Sequence, residues 1–453
     1  MQPCYFLYSL LLYALCIQSG VAQVKPSPQR GYQLLLEKAY LPPAFDTETF
    51  NKTWQNWEEP LRGQAALATE DERRLMAYRR YGLLERRGDP RHRPLQYVVD
   101  ANGNWTMNCL ACHQGTVAGH RIPGAPNVQF ALETLTKDIR TTKLQLKKPL
   151  TDLDLGSLVM PLGTTVGTTN AIMFGVALMH YRDKDLNIIS PESIPQLTHH
   201  DHDAPPWWNV SRKKRLYSDN FAPRGHRALM QFLASRENGP AKFREWEEDF
   251  RHIESYIDSI QPPKYPFAID QRIAAQGRVV FEDNCAGCHG TYGPEGEYPE
   301  RIIPWDEVGT DPVRIRALSK EHRLDYERNW INEYGQAGEV IIDPAGYLAP
   351  PLNGIWASAP YFHNGSTPTL WHLLHPSQRP VIWVRTDFDG YDRQRVGLAV
   401  QEFEEMPPDL SDESRHRHYF DTRAFGKSAA GHTFPDQITD TEKHAVLEYL
   451  KTL

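Results

Sequence analysis

Apolar and polar positions recur with helical spacing in several parts of the chain, and capping signals mark where helices begin. Thr69 and Glu72 have the order of a capping box, which predicts a helix over 69–87 that ends at the Gly-Asp-Pro turn of 88–90. Three further stretches have a helical pattern: 131–142, 168–182 and 225–260. The pattern therefore predicts a mainly α fold.

The segment before residue 109 has a different, strand-like pattern. Apolar and polar residues alternate over 96–107, around the Asp-Ala-Asn-Gly sequence of 100–103. This pattern predicts a β-hairpin, and we expect a few short strands and long loops between the helices.

The C-terminal part has two predicted helices with clear N-terminal caps. Asp270 is a predicted N-cap for a helix over 271–281, and Thr439 with Glu442 is a second capping box before an amphipathic closing helix. Gly277 lacks a side chain on one face of the first helix, so we expect the closing helix to approach closely there. The proline-rich stretch of 262–266 interrupts the helical pattern before this part.

Length and this break predict two domains after an N-terminal leader. We assign 1–22 to a signal peptide, 23–262 to an N-terminal domain with extended loops, and 263–453 to a C-terminal domain. The first 22 residues are uncharged, largely apolar and end in small residues, which predicts cleavage after Ala22 and a periplasmic or secreted protein. A retained anchor stays open as the alternative, although no membrane span is expected in the mature chain.

Charge and composition narrow the classes of partner. The net charge is −7 with a pI of about 6.2, which gives no reason to expect nucleic acid as a partner. A small redox protein or another electron donor fits this charge. Separately, the 35 prolines and 30 glycines predict many ordered turns.

The cysteines carry the strongest chemical signal. Cys4 and Cys16 lie in the predicted signal peptide, and the other four lie in two Cys-x-x-Cys-His motifs at 109–113 and 285–289. Random placement of the 6 cysteines and 18 histidines would give roughly 0.003 such motifs. The repetition therefore requires a chemical explanation.

Covalent haem attachment explains both motifs with the same chemistry. Two thiols add to the two vinyl groups of one porphyrin, and the histidine that follows binds the iron. A redox disulfide, a structural disulfide or a zinc site are alternatives, but they leave the two histidines unexplained. We expect two covalently bound haem c groups, on the residues Cys109, Cys112, His113, Cys285, Cys288 and His289. The domain of 23–262 is therefore predicted to be an N-terminal haem domain, and the domain of 263–453, with its pair of capped helices, a C-terminal cytochrome c domain.

Segments around both motifs resemble the bacterial di-haem cytochrome c peroxidase superfamily, and most closely its rubber oxygenase-like branch. The similar segments include Gln-Gly-Thr-Val-Ala-Gly-His at 114–120, Pro-Pro-Trp-Trp-Asn at 205–209, and Gly-Ile-Trp-Ala-Ser-Ala-Pro-Tyr-Phe-His-Asn-Gly-Ser at 354–366. The resemblance implies a redox enzyme in which the first haem activates dioxygen or peroxide and the second transfers electrons. It also implies Trp207 or Trp208 as an aromatic residue between the haems, while simple packing of the two rings under a loop is the alternative.

The resemblance also implies a sixth iron ligand for the second haem. His432 precedes the closing helix, where the family places this ligand, and Met406 is the one methionine after the second motif. We expect His432 to bind the iron, which would lower its reduction potential relative to His/Met ligation, and we expect His363 to support the pocket without binding iron.

Other features remain open at the level of sequence. His120 is as typical of a loop as of a ligand, and Glu133 and Asp138 fit a solvated helix face better than a catalytic acid. The histidines of 199–202 form a candidate metal cluster. The functional alternative is a pure electron carrier, and the organic substrate of an enzyme is not predicted.

Overall fold

The computed structural model describes residues 25–191, 195–334, 340–410 and 412–453. The predicted signal peptide of 1–22, with Cys4 and Cys16, lies outside these residues. Within them, no helix combines the length and the apolar character needed to cross a membrane.

The fold is mainly helical, as the pattern predicts. The α-helices are α1 Pro28–Glu37, α2 Thr47–Lys52, α3 Leu61–Leu67, α4 Glu70–Tyr81, α5 Leu110–His113, α6 Leu132–Gln145, α7 Asp152–Val159, α8 Ala171–His180, α9 His226–Met230, α10 Pro240–Ser259, α11 Gln271–Asn284, α12 Ala286–His289, α13 Trp305–Val308, α14 Val313–Ala317, α15 Lys320–Glu327, α16 Leu370–Leu374, α17 Glu413–His416 and α18 Asp440–Leu450. Short 3₁₀ helices cover Thr53–Asn56, Trp207–Arg212, Gln231–Leu233, Asn332–Tyr334, Ile355–Ala357, Pro376–Gln378 and Phe434–Gln437.

The strands are short and form small antiparallel sheets. They are β1 Phe45–Asp46, β2 Tyr97–Val99, β3 Asn104–Met107, β4 Thr116–Val117, β5 His120–Arg121, β6 Thr168–Thr169, β7 His202–Asp203, β8 Arg215–Leu216, β9 Ala222–Pro223, β10 Ile302–Pro304, β11 Gly346–Leu348, β12 Ile382–Arg385, β13 Tyr391–Asp392, β14 Gly397–Leu398, β15 Val400–Phe403 and β16 Tyr419–Asp421. The larger sheets have the orders β1-β3-β2 and β15-β12-β16, and β2 and β3 form the predicted hairpin with Tyr97 opposite Met107.

Several predicted helices are confirmed, with different ends. Thr69 and Glu72 form both hydrogen bonds of the capping box, but α4 ends at Tyr81 because Gly82 adopts a left-handed conformation. The predicted helix over 168–182 begins only at Ala171, since Thr168 and Thr169 pair with β7. The region of 225–260 is interrupted between α9 and α10.

The predicted crossing of α11 and α18 is confirmed. Asp270 caps α11 and Thr439 with Glu442 caps α18. A Cβ atom built on Gly277 would lie 1.8 Å from the carbonyl oxygen of Ala445, so the helix backbones touch at this point. The Phe281 and Tyr449 rings pack beside the crossing, with centroids 5.3 Å apart.

One large hydrophobic core contains buried residues from both predicted domains. It extends from Leu34 and Leu35 in α1 to Val446 and Leu450 in α18, and it contains Trp208. The segment between α10 and α11 passes through the proline-rich stretch where we place the boundary. The division at 262/263 stays a prediction, but the two parts share buried contacts across it.

Candidate functional site

Each Cys-x-x-Cys-His motif forms one short helical turn, so that both cysteines and the histidine lie on neighbouring positions. Cys109 precedes α5 and Cys285 precedes α12, and all four cysteines of the motifs are free thiols. Burial raises the pKa of the Cys109 thiol to about 11, that of Cys112 to about 12 and that of Cys285 to about 11. Redox-active cysteines have lowered pKa values, so these sites do not fit the redox-disulfide alternative.

A zinc site built from the cysteine pairs does not fit either. Within the parts of the chain that the structure describes, no group of three or more histidine, cysteine or acidic residues is arranged to hold a metal ion. The histidines of 199–202, which we considered as a metal cluster that lacks a fourth ligand, have other contacts: His199 pairs with Asp201, and the rings of His200 and His202 pack edge to face at 4.3 Å.

The histidines of the two motifs have matching partners. Nδ1 of His113 lies 3.1 Å from the carbonyl oxygen of Pro205, and Nδ1 of His289 lies 2.9 Å from the carbonyl oxygen of Pro350. Because a carbonyl oxygen only accepts, Nδ1 carries the proton in each ring and Nε2 keeps a free lone pair. Burial lowers the pKa of His113 to about 4 and also lowers that of His289, which favours neutral rings that can bind a metal.

Both accepting prolines belong to an Ala-Pro-Pro sequence, at 204–206 and at 349–351. A proline followed by a second proline is held in an extended conformation, and neither residue has an N–H group to donate. Such a segment presents a carbonyl oxygen in a fixed direction. Sequence analysis missed these acceptors, although the repeated Ala-Pro-Pro was a signal for them.

Trp207 and Trp208 are both buried and take different positions. The Trp207 ring stacks on the ring of His113, with centroids 4.6 Å apart and planes 20° apart. The indole N–H of Trp208 donates to the carbonyl oxygen of Asn353 over 2.7 Å. The side-chain amide of Asn209 donates to Pro351 and Asn353, so this segment is bonded to the chain that follows Pro350.

The second motif has a histidine on its opposite side. The rings of His289 and His432 have centroids 6.2 Å apart and planes 60° apart. An iron bound by two imidazole nitrogens, each at roughly 2 Å, holds the two ring centres roughly 6 Å apart. Nδ1 of His432 is buried without a hydrogen-bond partner, so the geometry and the donor set fit a haem iron between these rings.

Backbone contacts fix the loop that carries His432. Its N–H donates to Val308 over 2.6 Å, and its φ of +48° places it in the left-handed region. The guanidinium of Arg379 donates to the carbonyl oxygens of Ala429, Gly431 and His432. Burial, followed by the nearby His289 and Arg379, lowers the pKa of His432 to about 3 and favours the neutral ring.

The first motif has no such partner. No histidine lies outside the described residues, and within them the ring contact of His113 is with Trp207 and not with another imidazole. His120 is exposed in β5. The two motifs therefore share their attachment chemistry but differ on the side opposite the histidine.

The acidic residues near the first motif have structural contacts. Asp138 is buried, which contradicts the expected solvated position, and accepts hydrogen bonds from Tyr81 and Arg80. Glu133 accepts a hydrogen bond from the N–H of Leu162. His363, expected to support the second pocket, stacks on Tyr347 with ring centroids 4.5 Å apart.

Residues 346–384 match a family model described as RoxA-like, cytochrome c-like. This stretch contains Pro350, the acceptor for His289, and also Phe362 and His363. The match supports a RoxA-related cytochrome c, a type of protein that carries covalently bound haem c.

Two relatives come from Sinorhizobium fredii (strain NBRC 101917 / NGR234). Uncharacterized protein y4iM is 31% identical over 204 residues, which are 40% of this chain and 45% of y4iM. Uncharacterized protein y4iJ is 28% identical over 266 residues, which are 44% of this chain and 42% of y4iJ. The alignments thus span less than half the length of each relative.

Proposed function

We propose that the protein is an exported di-haem c-type cytochrome that acts as a redox enzyme. The observation that carries this proposal is the inequality of two similar motifs: His289 faces His432 across the distance that an iron requires, whereas His113 has no opposing imidazole. A six-coordinate haem iron exchanges electrons, and an open one binds dioxygen or peroxide.

The residues around the first motif support a binding role. Cys109 and Cys112 would attach the porphyrin, and Pro205 orients the ring of His113 through Nδ1. Stacking on Trp207 further restricts rotation of this ring. Because no second imidazole contacts the His113 ring among the described residues, a haem held here could bind a small molecule on its other face.

The second motif supports electron transfer. Cys285 and Cys288 would attach the porphyrin, and His289 and His432 would bind its iron. Arg379 and the close backbone contact at Gly431, where an added Cβ would lie 2.2 Å from Gly309, hold the His432 loop in place. A rigid ligand pair keeps the reorganisation on electron transfer small.

A path of stacking, hydrogen-bond and covalent contacts between the two motifs supports transfer between the haems. It runs from His113 through the stacked Trp207 to Trp208, from the Trp208 indole to Asn353, and along the chain to Pro350 and His289. We assign the two tryptophans to this path, and simple packing of their rings is the alternative. A small redox protein or another electron donor would supply the electrons, and an organic substrate or peroxide would consume them.

Haem content tests the number of cofactors. The pyridine haemochrome of the purified protein should give two haems per chain, and a variant in which Cys109 and Cys112 are both alanine should give one. The matched variant at Cys285 and Cys288 should also give one. One haem in the wild-type protein, or an unchanged count in either variant, would contradict the proposal.

Ligand binding separates an enzyme from a carrier. Carbon monoxide added to the reduced protein, or cyanide added to the oxidised protein, should change the spectrum of one haem and leave the other low-spin. Two unresponsive haems would identify a pure electron carrier. A stable dioxygen-bound spectrum would favour an oxygenase, whereas rapid turnover of peroxide with a reduced cytochrome donor would favour a peroxidase.

A further inference from the structure

Two buried arginines share one carboxylate next to the second site. Nη2 of Arg314 lies 2.8 Å from one oxygen of Asp219, and Nη2 of Arg323 lies 2.8 Å from the other. All three residues are at most 1% exposed. A buried charged group is costly unless its remaining donors are also hydrogen-bonded, so the other nitrogens of both arginines must be accounted for.

The two arginines differ in this respect. Every side-chain nitrogen of Arg323 has a partner: Nε donates to Leu318, Nη1 to Ile341 and Nη2 to Asp219. In Arg314, Nε and Nη1 are buried and have no hydrogen-bond partner. These two atoms carry three N–H groups, each of which needs an acceptor.

Neighbouring carboxylates are committed to other groups. The oxygens of Asp311 accept from the N–H groups of Val313 and Ser428. Those of Asp201 accept from Thr164 and pair with Lys427. Asp219, which already binds Arg314, uses its second oxygen for Arg323, so these three carboxylates leave the free N–H groups of Arg314 unpaired.

Two further unpaired nitrogens lie near Arg314. Nε2 of His200 and Nε2 of His202 are buried without partners, and the positive charge of Arg314 contributes to the low pKa of both rings. Burial, the larger cause, lowers the pKa of His200 to about 4. Both rings are therefore neutral, and Arg314 supplies the positive charge in this group, which we call the Arg314 cluster (Arg314, His200 and His202).

The Arg314 cluster lies beside the proposed second haem. The hydroxyl group of Tyr347 donates to the carbonyl oxygen of Asp311, three residues before Arg314, and the Tyr347 ring stacks on that of His363. His363 follows Phe362, whose ring lies 6.1 Å from that of His432, and Tyr347 lies three residues before Pro350. The carboxylates of a porphyrin bound at the second motif, its propionates, would be candidate acceptors for these N–H groups.

We propose that the Arg314 cluster binds a carboxylate, with Arg314 as the donor, and that a propionate of the second haem or a free carboxylic acid supplies it. An ionised carboxylate only accepts hydrogen bonds and offers two oxygens, which matches the unpaired N–H groups of a guanidinium. A water molecule beside the carboxylate would serve Nε2 of the histidines. This inference rests on the proposed function, because it requires the second haem for one of its two sources.

The test compares Arg314→Lys with Arg323→Lys in the holoprotein. Both variants disturb the same buried carboxylate, but Arg323 has no unpaired nitrogen, so it is the matched control. If a propionate is bound, Arg314→Lys should shift the propionate-bending band of the low-spin haem in the resonance Raman spectrum, and Arg323→Lys should leave the band in place. The midpoint potential of this haem should also fall if charge is lost in Arg314→Met.

Acetate distinguishes the second source. If a free carboxylate is bound, added acetate should raise the melting temperature of the wild-type protein, and chloride at equal ionic strength should not. Arg314→Lys should abolish the acetate effect, and the Raman band should not move. The wild-type titration needs no variant, so it remains informative if a substitution prevents folding.

Unchanged propionate bands together with no acetate effect would overturn the inference and leave water as the occupant. This failure is distinct from failure of the proposed function. In the first case the protein still contains two haems with one low-spin spectrum, whereas in the second the haem count or the low-spin spectrum is wrong.

Discussion

The contact between α11 and α18 gives the sharpest prediction of stability. Replacing Gly277 by alanine places a Cβ atom 1.8 Å from the carbonyl oxygen and 2.3 Å from the carbonyl carbon of Ala445, whereas ordinary contacts are 3.4 Å or longer. The clash involves backbone atoms, which cannot rotate away as a side chain does. The helices that frame the second site must therefore separate.

The expected cost follows from two opposing effects. Overpacking of a buried contact costs about 1–3 kcal/mol, and a rigid backbone neighbour favours the upper end of this range. Alanine is a better helix former than glycine by up to about 1 kcal/mol, which offsets part of the cost. We expect Gly277→Ala to lower the free energy of unfolding by about 2 kcal/mol.

Gly175 provides the matched control. It also lies inside a helix, α8, but its added Cβ would meet only ring carbons of Phe232 at 3.7 Å. Gly175→Ala should therefore raise stability by about 0.5–1 kcal/mol. The two substitutions are chemically identical, so their opposite signs isolate the backbone contact.

Denaturant unfolding, followed by absorbance of the low-spin haem and by circular dichroism, measures both effects. Gly277→Ala should unfold at lower denaturant concentration and lose the low-spin spectrum before the wild type does. A Gly277→Ala protein as stable as Gly175→Ala, with an intact low-spin spectrum, would refute the backbone contact between the two helices.

Three further predictions concern axial ligation, electron transfer and acid stability. His432→Met should change the low-spin spectrum and raise the reduction potential of one haem, as measured by redox titration. Substitution of the exposed His416 by methionine is the control. An unchanged potential in His432→Met would show that His432 does not bind the iron. Trp208→Phe loses the indole bond to Asn353, which should cost about 1 kcal/mol and slow reduction of the first haem in stopped-flow mixing, while equal rates would restrict Trp208 to packing. Asp201→Asn should cost about 3–5 kcal/mol at pH 7, because it leaves the buried Lys427 without its ion pair. The contacts of Asp201 hold its pKa below the unfolded value, so the stability that this carboxylate contributes is present above pH about 4 and is lost as pH falls. The Asp201→Asn variant should therefore lose less stability than the wild type between pH 7 and pH 3. Equal losses in the two proteins would contradict this assignment.

Local signals predicted the helix starts better than the helix ends. The capping boxes at Thr69 and Thr439 involve residues three apart, so they are visible in the sequence. The end of α4 depends on Gly82, where an added Cβ would lie 2.1 Å from the carbonyl oxygen of Gln129. This contact joins segments far apart in the chain, and no local pattern reports it.

The candidate site divides in the same way. The haem motifs consist of residues close together in the sequence, so their chemistry can be predicted from residue types alone. The carbonyl oxygens of Pro205 and Pro350 are backbone atoms, which residue type does not identify. The unpaired nitrogens of Arg314 could not be predicted either, because its neighbours Asp219, Arg323 and two histidines come together only in the folded chain.

The matched proline carbonyls have a consequence for the reduction potentials of the two proposed haems. Each Nδ1–H is polarised by a neutral oxygen and not by a carboxylate, so both imidazoles would donate similar electron density to a bound iron. If both motifs carry haem as proposed, their histidine sides would contribute equally to the two reduction potentials. A difference between the potentials would then originate on the opposite faces and in the surrounding charges, where a substitution can change it without affecting how the porphyrin is attached.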